Sequence, residues 1–128
     1  MQQRTTFRLT QVDDHLWVVL SDPAQFPKEV VIASFTTEAR YPEKTCIVEQ
    51  YEHPAGLTHR SCIAFKFAQV LSLEQLYGFK DTGLLTIQSD PISVALLKKI
   101  FDSVPNSNGI KDNVADTLIA QGYVTLDE

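Results

Sequence analysis

Two cysteines, one tryptophan, one methionine and five glycines among 128 residues leave several common chemistries without material. Cys46 and Cys62 stand far apart, and neither has a Cys or His two residues away, so they lack zinc-site spacing. The opening stretch, Met1-Gln2-Gln3-Arg4-Thr5-Thr6, holds no apolar segment of the kind that directs export. Free thiols in a reducing, cytoplasmic setting are therefore expected. Neither common glycine-rich phosphate loop occurs, and there is no Gly-x-Ser-x-Gly elbow. No pair of histidines shares a helix face, and no apolar run approaches the roughly 20 residues that a membrane span needs. The reading is a protein without metal, cofactor or membrane contact.

An excess of positive charge is missing too. The formal net charge is −5, which argues against a grip on nucleic acid through overall charge. A local basic patch stays open, with His59-Arg60 and Lys66 as its material. The acidic residues are scattered, so they form no acidic tail.

What is present is a chain long enough for one domain with its own core, at 44% apolar and 21% charged residues. Runs rich in Trp, Val, Ile and Thr, which suit a pleated surface, occur at His15–Ser21, Glu29–Thr37 and Thr45–Glu49. Asp22–Pro27 and Tyr41–Lys44 separate them. Arg4–Val12 alternates in part, with Phe7, Leu9 and Val12 on one side, and Asp13-Asp14 turns the chain after it. The interior of the second strand, Leu16 to Leu20, is unbroken apolar, as in a strand covered on both faces. Pro54 and Gly56 mark a polar loop, after which Ser61–Ala68 alternates again and continues to Val70-Leu71 as a fifth strand.

Helices follow. Ser72 and Gln75 have capping-box spacing, and the helix from Leu73 to Tyr77 is expected to stop at Gly78. Gly83–Ile87 is a brief connection or strand. Asp90-Pro91 reads as an N-cap with proline at the first helical position, opening a helix from Pro91 to Val104. Pro105–Gly109 reads as a flexible linker, and Asn113–Ala120 as a last helix with Gly122 at its C-cap. The fold class is mainly β with helices (α+β), and the strand meander points to a small barrel with helical appendages. Residues 1–104 form the barrel and its helix, and residues 105–128 a linker and a short helix.

Function is sought where the second long strand ends, since strand ends on a rigid sheet often carry sites. Thr36 and Thr37, with Ser34, offer hydroxyls to a phosphate oxygen. His59 is a candidate general acid or base, Arg60 a cation for a phosphate, and Ser61 a neighbouring hydroxyl. The same residues also read as an ordinary polar loop and as strand formers. Tyr51 and His53 can stack on bases, and His15 sits at a strand start. Trp17 reads as core. No carboxylates cluster near His59 in the sequence, which favours a metal-independent reaction or a pure binding role.

The order of these pieces resembles the MazF/PemK/Kid growth-inhibitor toxins. The residues that carry it are His15–Ser21, Val30–Thr37, Ser61–Leu71 and Val94–Phe101, spanning about residues 7 to 104. The resemblance implies a small SH3-like β-barrel with C-terminal helices, a homodimer and a cognate antitoxin protein as partner. It also implies a metal-independent endoribonuclease that cleaves single-stranded RNA through the RNA's own 2′-hydroxyl. The family's strand-end threonine falls on Thr36 or Thr37. Its arginine after the first histidine falls on Leu16, and its arginine–aspartate pair falls on His59 and Ser61. On this reading His59, Arg60, Thr36 and Ser61 are catalytic, and Thr37, His15, Tyr51 and His53 bind substrate. The alternative is a non-catalytic protein-binding module on the same fold, either a gyrase-poison-like protein or a regulatory partner.

Overall fold

A strand with no polar residue on either side needs cover on both sides, and that requirement organises the molecule. The computed structural model describes residues 1–10, 15–38, 41–53, 57 and 59–125. Its strands are β1 (Thr6–Leu9), β2 (Leu16–Val19), β3 (Val30–Thr37), β4 (Ile47–Val48), β5 (Ser61–Ile63), β6 (Gln69–Leu71) and β7 (Leu85–Ile87). Its helices are α1 (Leu73–Asp81), α2 (Val94–Ser103) and α3 (Asp112–Ala120). The strands form one antiparallel sheet in the order β4-β5-β3-β2-β1-β7, with β6 also paired to β3.

Side chains alternate across a strand, so β2 and β3 feed two cores. Leu16, Val18, Leu20, Val31, Ala33 and Phe35 pack with Leu96, Ile100, Val114 and Leu118 of α2 and α3. Trp17, Val19, Val30 and Ile32 face the other way, against Leu76 of α1 with Phe7 and Leu85. The result is three layers, with α1 on one face and α2 with α3 on the other. α3 is part of the larger core, and the segment before it is tied down. Ser107 Oγ donates to the Glu43 carboxylate, as do Thr45 Oγ1 at 3.0 Å and the Gly109 N–H at 3.2 Å.

The expected barrel is not what forms. Among the described strands, β4 and β7 end the path and do not pair with each other, so the sheet is open. The reason lies in β2: a small barrel has one apolar interior, whereas Leu16–Leu20 is apolar on both sides and is buried by two helical layers.

Four local expectations also change. The strand expected over Ser61–Leu71 is broken by a 3₁₀ turn at Phe65–Phe67. β5 pairs with the end of β3 and β6 with its beginning, so one segment runs along β3 in two pieces. α1 runs through Gly78 to Asp81, and the left-handed residue that ends it is Gly83, at φ 80°. α2 starts at Val94, capped by Ser93, whose Oγ accepts from Leu96 N at 3.0 Å. Asp90 is not its cap, because the Ile92 N–H is taken by the Arg4 carbonyl at 3.0 Å, which holds this stretch beside β1. α3 does end toward a left-handed Gly122, at φ 86°. Val12, Asp13-Asp14, Pro54 and Gly56 lie outside the described residues. No helix among the described residues is long and apolar enough to cross a membrane.

Candidate functional site at the end of the sheet

Antiparallel pairing gathers most of the singled-out residues. Thr36 lies opposite Cys62, and Thr37 opposite Ser61. Just beyond the ladder, the Glu38 N–H donates to the Arg60 carbonyl at 3.2 Å. On the other side of β3, Trp17 pairs with Ser34, and that register continued by two residues puts His15 level with Thr36. Thr36, Thr37, His59, Arg60, Ser61 and His15 therefore meet at one end of the sheet. His59, Arg60 and His15 are exposed, the threonines half-buried and Ser61 buried. Ser61 Oγ donates to the His59 carbonyl at 3.0 Å, so this hydroxyl fixes the entry to β5.

The sequence showed no carboxylates clustered near His59; the fold brings two to its neighbour Arg60. Arg60 Nε donates to Glu49 Oε1 at 2.9 Å, and its Nη1 lies 3.9 Å from Glu38 Oε1, which Lys44 approaches at 3.6 Å. Glu38 follows Thr37 directly and Glu49 follows β4. Both were visible as strand-end residues, but only the β3-β5-β4 pairing brings them to Arg60. Beneath them, burial pushes the Cys62 thiol up to about 11, with Glu38 adding to the effect.

Tyr51 and His53 belong to a second place. The 3₁₀ turn Gln50–Glu52 leaves from Glu49, whose N–H donates to Glu52 Oε1 at 3.0 Å. Lys99 Nζ of α2 donates to the same oxygen at 2.7 Å. Burial raises the Glu52 carboxyl, but the hydrogen bonds from Lys99 and the Glu49 N–H outweigh it and hold it below its ordinary value. Tyr51 stands on this turn, 83% exposed. His53, next in line, is only 4% exposed, and its ring stacks on Phe35 with centroids 6.0 Å apart. Burial pulls its imidazole below the usual value, an effect that Asp90 partly opposes, and among the described residues Nε2 has no hydrogen-bond partner.

His53 lines a cavity of about 380 Å³ together with Arg4, Glu52, Asp90, Pro91, Ile92 and Ser93. Sequence reading missed every member of this wall except His53. Among the described residues no group of three or more His, Cys, Asp or Glu is placed to hold a metal ion. No family model, no curated protein and no solved structure matches the chain.

At the sheet end, the geometry offers the imidazoles of His59 and His15, one guanidinium paired with carboxylates, and the half-buried hydroxyls of Thr36 and Thr37. Arg carries five N–H donors, so the contacts with Glu49 and Glu38 leave some directed outward. Such a set can bind an anionic oxygen and move a proton beside it.

Proposed function

We propose that the chain is a MazF/PemK-like toxin of a toxin–antitoxin pair that cleaves single-stranded RNA without a metal. The observation that carries the reading is Arg60, held at 2.9 Å by Glu49 beside exposed His59, where Thr37 and Ser61 pair. His59 takes the proton of the RNA 2′-hydroxyl, and the 2′-oxygen attacks the adjacent phosphorus. The bond to the 5′-oxygen breaks, and His59 returns the proton to that leaving oxygen. This leaves a 2′,3′-cyclic phosphate and a 5′-hydroxyl. The free N–H groups of Arg60 face the charge that grows on the phosphate oxygens, an effect worth most where donors are fixed beforehand. Glu49 and Glu38 do the fixing. A cognate antitoxin and a homodimer belong to the same reading.

The test is a mixed single-stranded RNA incubated with purified protein in EDTA. Wild type cleaves it. His59→Ala and Arg60→Ala, both folded, each lose about 10²-fold or more of the rate. Full activity in both folded variants would remove this site assignment.

A second reading is favoured by the same carboxylates, since Glu38 and Glu49 repel a phosphate, and by the exposed Tyr51, a frequent interface anchor. It is a non-catalytic protein-binding module. It predicts a tight protein partner in pull-down and no RNA cleavage.

A further inference from the structure

We infer that the cavity bounded by Arg4, Glu52, His53, Asp90 and Ser93 is a base-binding subsite for an amino-bearing nucleobase of single-stranded RNA. Its link to a neighbouring cleavage site rests on the ribonuclease reading above. The cavity, at about 380 Å³, falls within the roughly 300–1,000 Å³ of small-molecule sites.

One group of its wall is left over. Buried polar atoms are almost always paired, yet among the described residues His53 Nε2 has no partner, in a side chain that is only 4% exposed. The wall is also rigid. Arg4 is held in the left-handed region at φ 76°, a conformation that persists in a non-glycine residue only where its surroundings fix it. They do: its N–H donates to the Val19 carbonyl at 2.8 Å, its carbonyl accepts from the Ile92 N–H at 3.0 Å, and its Nη1 donates to the Ile92 carbonyl at 2.9 Å. That guanidinium is thus engaged within the protein.

The chemistry of the remaining groups selects the ligand. Asp90 brings an exposed carboxylate, and Glu52, whose Oε1 is taken by Lys99 and the Glu49 N–H, has its second oxygen left to accept. Ser93 Oγ already caps α2, accepting from Leu96 N. Carboxylates accept from exocyclic amino groups, as they do from the cytosine amine in base recognition. Cytosine, adenine and guanine carry such a group and uracil does not.

Position links the cavity to the sheet end. Glu52 closes the 3₁₀ turn that starts at Glu49, the residue holding Arg60. A 3₁₀ turn of three residues rises about 6 Å, a distance one nucleotide can span. Tyr51 projects from that turn and offers a face on which the next base can stack.

The experiment follows the His53 ring nitrogens by NMR during separate titrations with CMP, AMP, GMP and UMP, in wild type and in Asp90→Asn. Asp90 is exposed and Asn keeps its shape, so the fold is not at stake. Amino-bearing nucleotides shift the His53 resonances and bind at least 10-fold more tightly than UMP, and Asp90→Asn reduces that margin several-fold. Equal binding of UMP, or no His53 shift with any nucleotide, overturns the inference. Nucleotide binding at His53 by a protein that does not cleave RNA upholds the subsite and removes the ribonuclease reading. RNA cleavage with no base preference, unchanged in Asp90→Asn, removes the subsite and leaves the ribonuclease standing.

Discussion

Along β3, Val30 to Phe35 are buried between two helical layers, whereas Thr36, Thr37 and Glu38, one step further, are half-buried beside exposed charges. The sheet and its backbone ladder are common to both stretches. What differs is the cover: α1 and α2–α3 pack against the first six residues, and the chain then runs out from beneath them. In the covered part, side chains are chosen by volume and lack of charge. At the end, Arg60, Glu38, Glu49 and Lys44 keep access to water and can hold a charged ligand. A rigid middle fixes the backbone from which the end groups project, so a site there is positioned without being part of the core.

The sharpest way to break this contrast is Phe35→Ala. Phe35 is 2% exposed and stacks on His53, so its loss should cost about 3–5 kcal/mol in chemical denaturation. A cost below about 1 kcal/mol would mean that the middle of β3 is not core. Glu43→Ala comes next. It strips the Ser107, Thr45 and Gly109 donors of their acceptor, and should destabilise the α2–α3 segment by about 1–3 kcal/mol. Unchanged hydrogen exchange at Gly109 would contradict it.

The pH profile sharpens the contrast from the buried side. His53 is depressed below 6.5, so the unfolded chain takes up its proton first, and stability falls as pH drops below about 6.5. Cys62 is raised from 9.0 to about 11, so its contribution is complete below pH 9 and is lost as pH rises from 9 through 11. His53→Phe should flatten the acid limb of thermal denaturation, and Cys62→Ala the alkaline one. The smallest effect belongs to the exposed end: Arg60→Ala should change stability by about 1 kcal/mol or less, since its ion pairs face solvent. A loss as large as that of Phe35→Ala would make Arg60 structural.

Much of the covered part could be read from the sequence. The apolar run Leu16–Leu20 announced a strand with cover on both faces, and the β-branched run Val30–Thr37 announced its neighbour. The same run argued against a barrel, whose outer face needs no such residues, yet the meander pattern drew the reading toward one. The turn at Phe65–Phe67 was hidden because it depends on a distant group: the Lys66 N–H donates to Tyr41 Oη at 3.3 Å. The start of α2 was ambiguous locally, with Asp90-Pro91 and Ser93 both good caps, and the bond from Ile92 to Arg4 decided it. His59, Arg60, Thr36 and Thr37 could be singled out from their types and strand-end positions. Glu38 and Glu49 could not be assigned to Arg60, because their meeting depends on strand order. The His53 cavity was still less legible, since Arg4, Glu52 and Asp90 come from three separate stretches.

The central claim is that the sheet end moves a proton between the 2′-hydroxyl and the leaving oxygen of RNA. The most direct measurement is mass spectrometry of the ends produced when purified protein meets single-stranded RNA in EDTA. The account predicts 2′,3′-cyclic phosphate and 5′-hydroxyl ends, made by wild type and lost in His59→Ala. Fragments ending in 3′-hydroxyl and 5′-phosphate, or RNA left intact by a folded protein that still arrests growth when expressed, would contradict it.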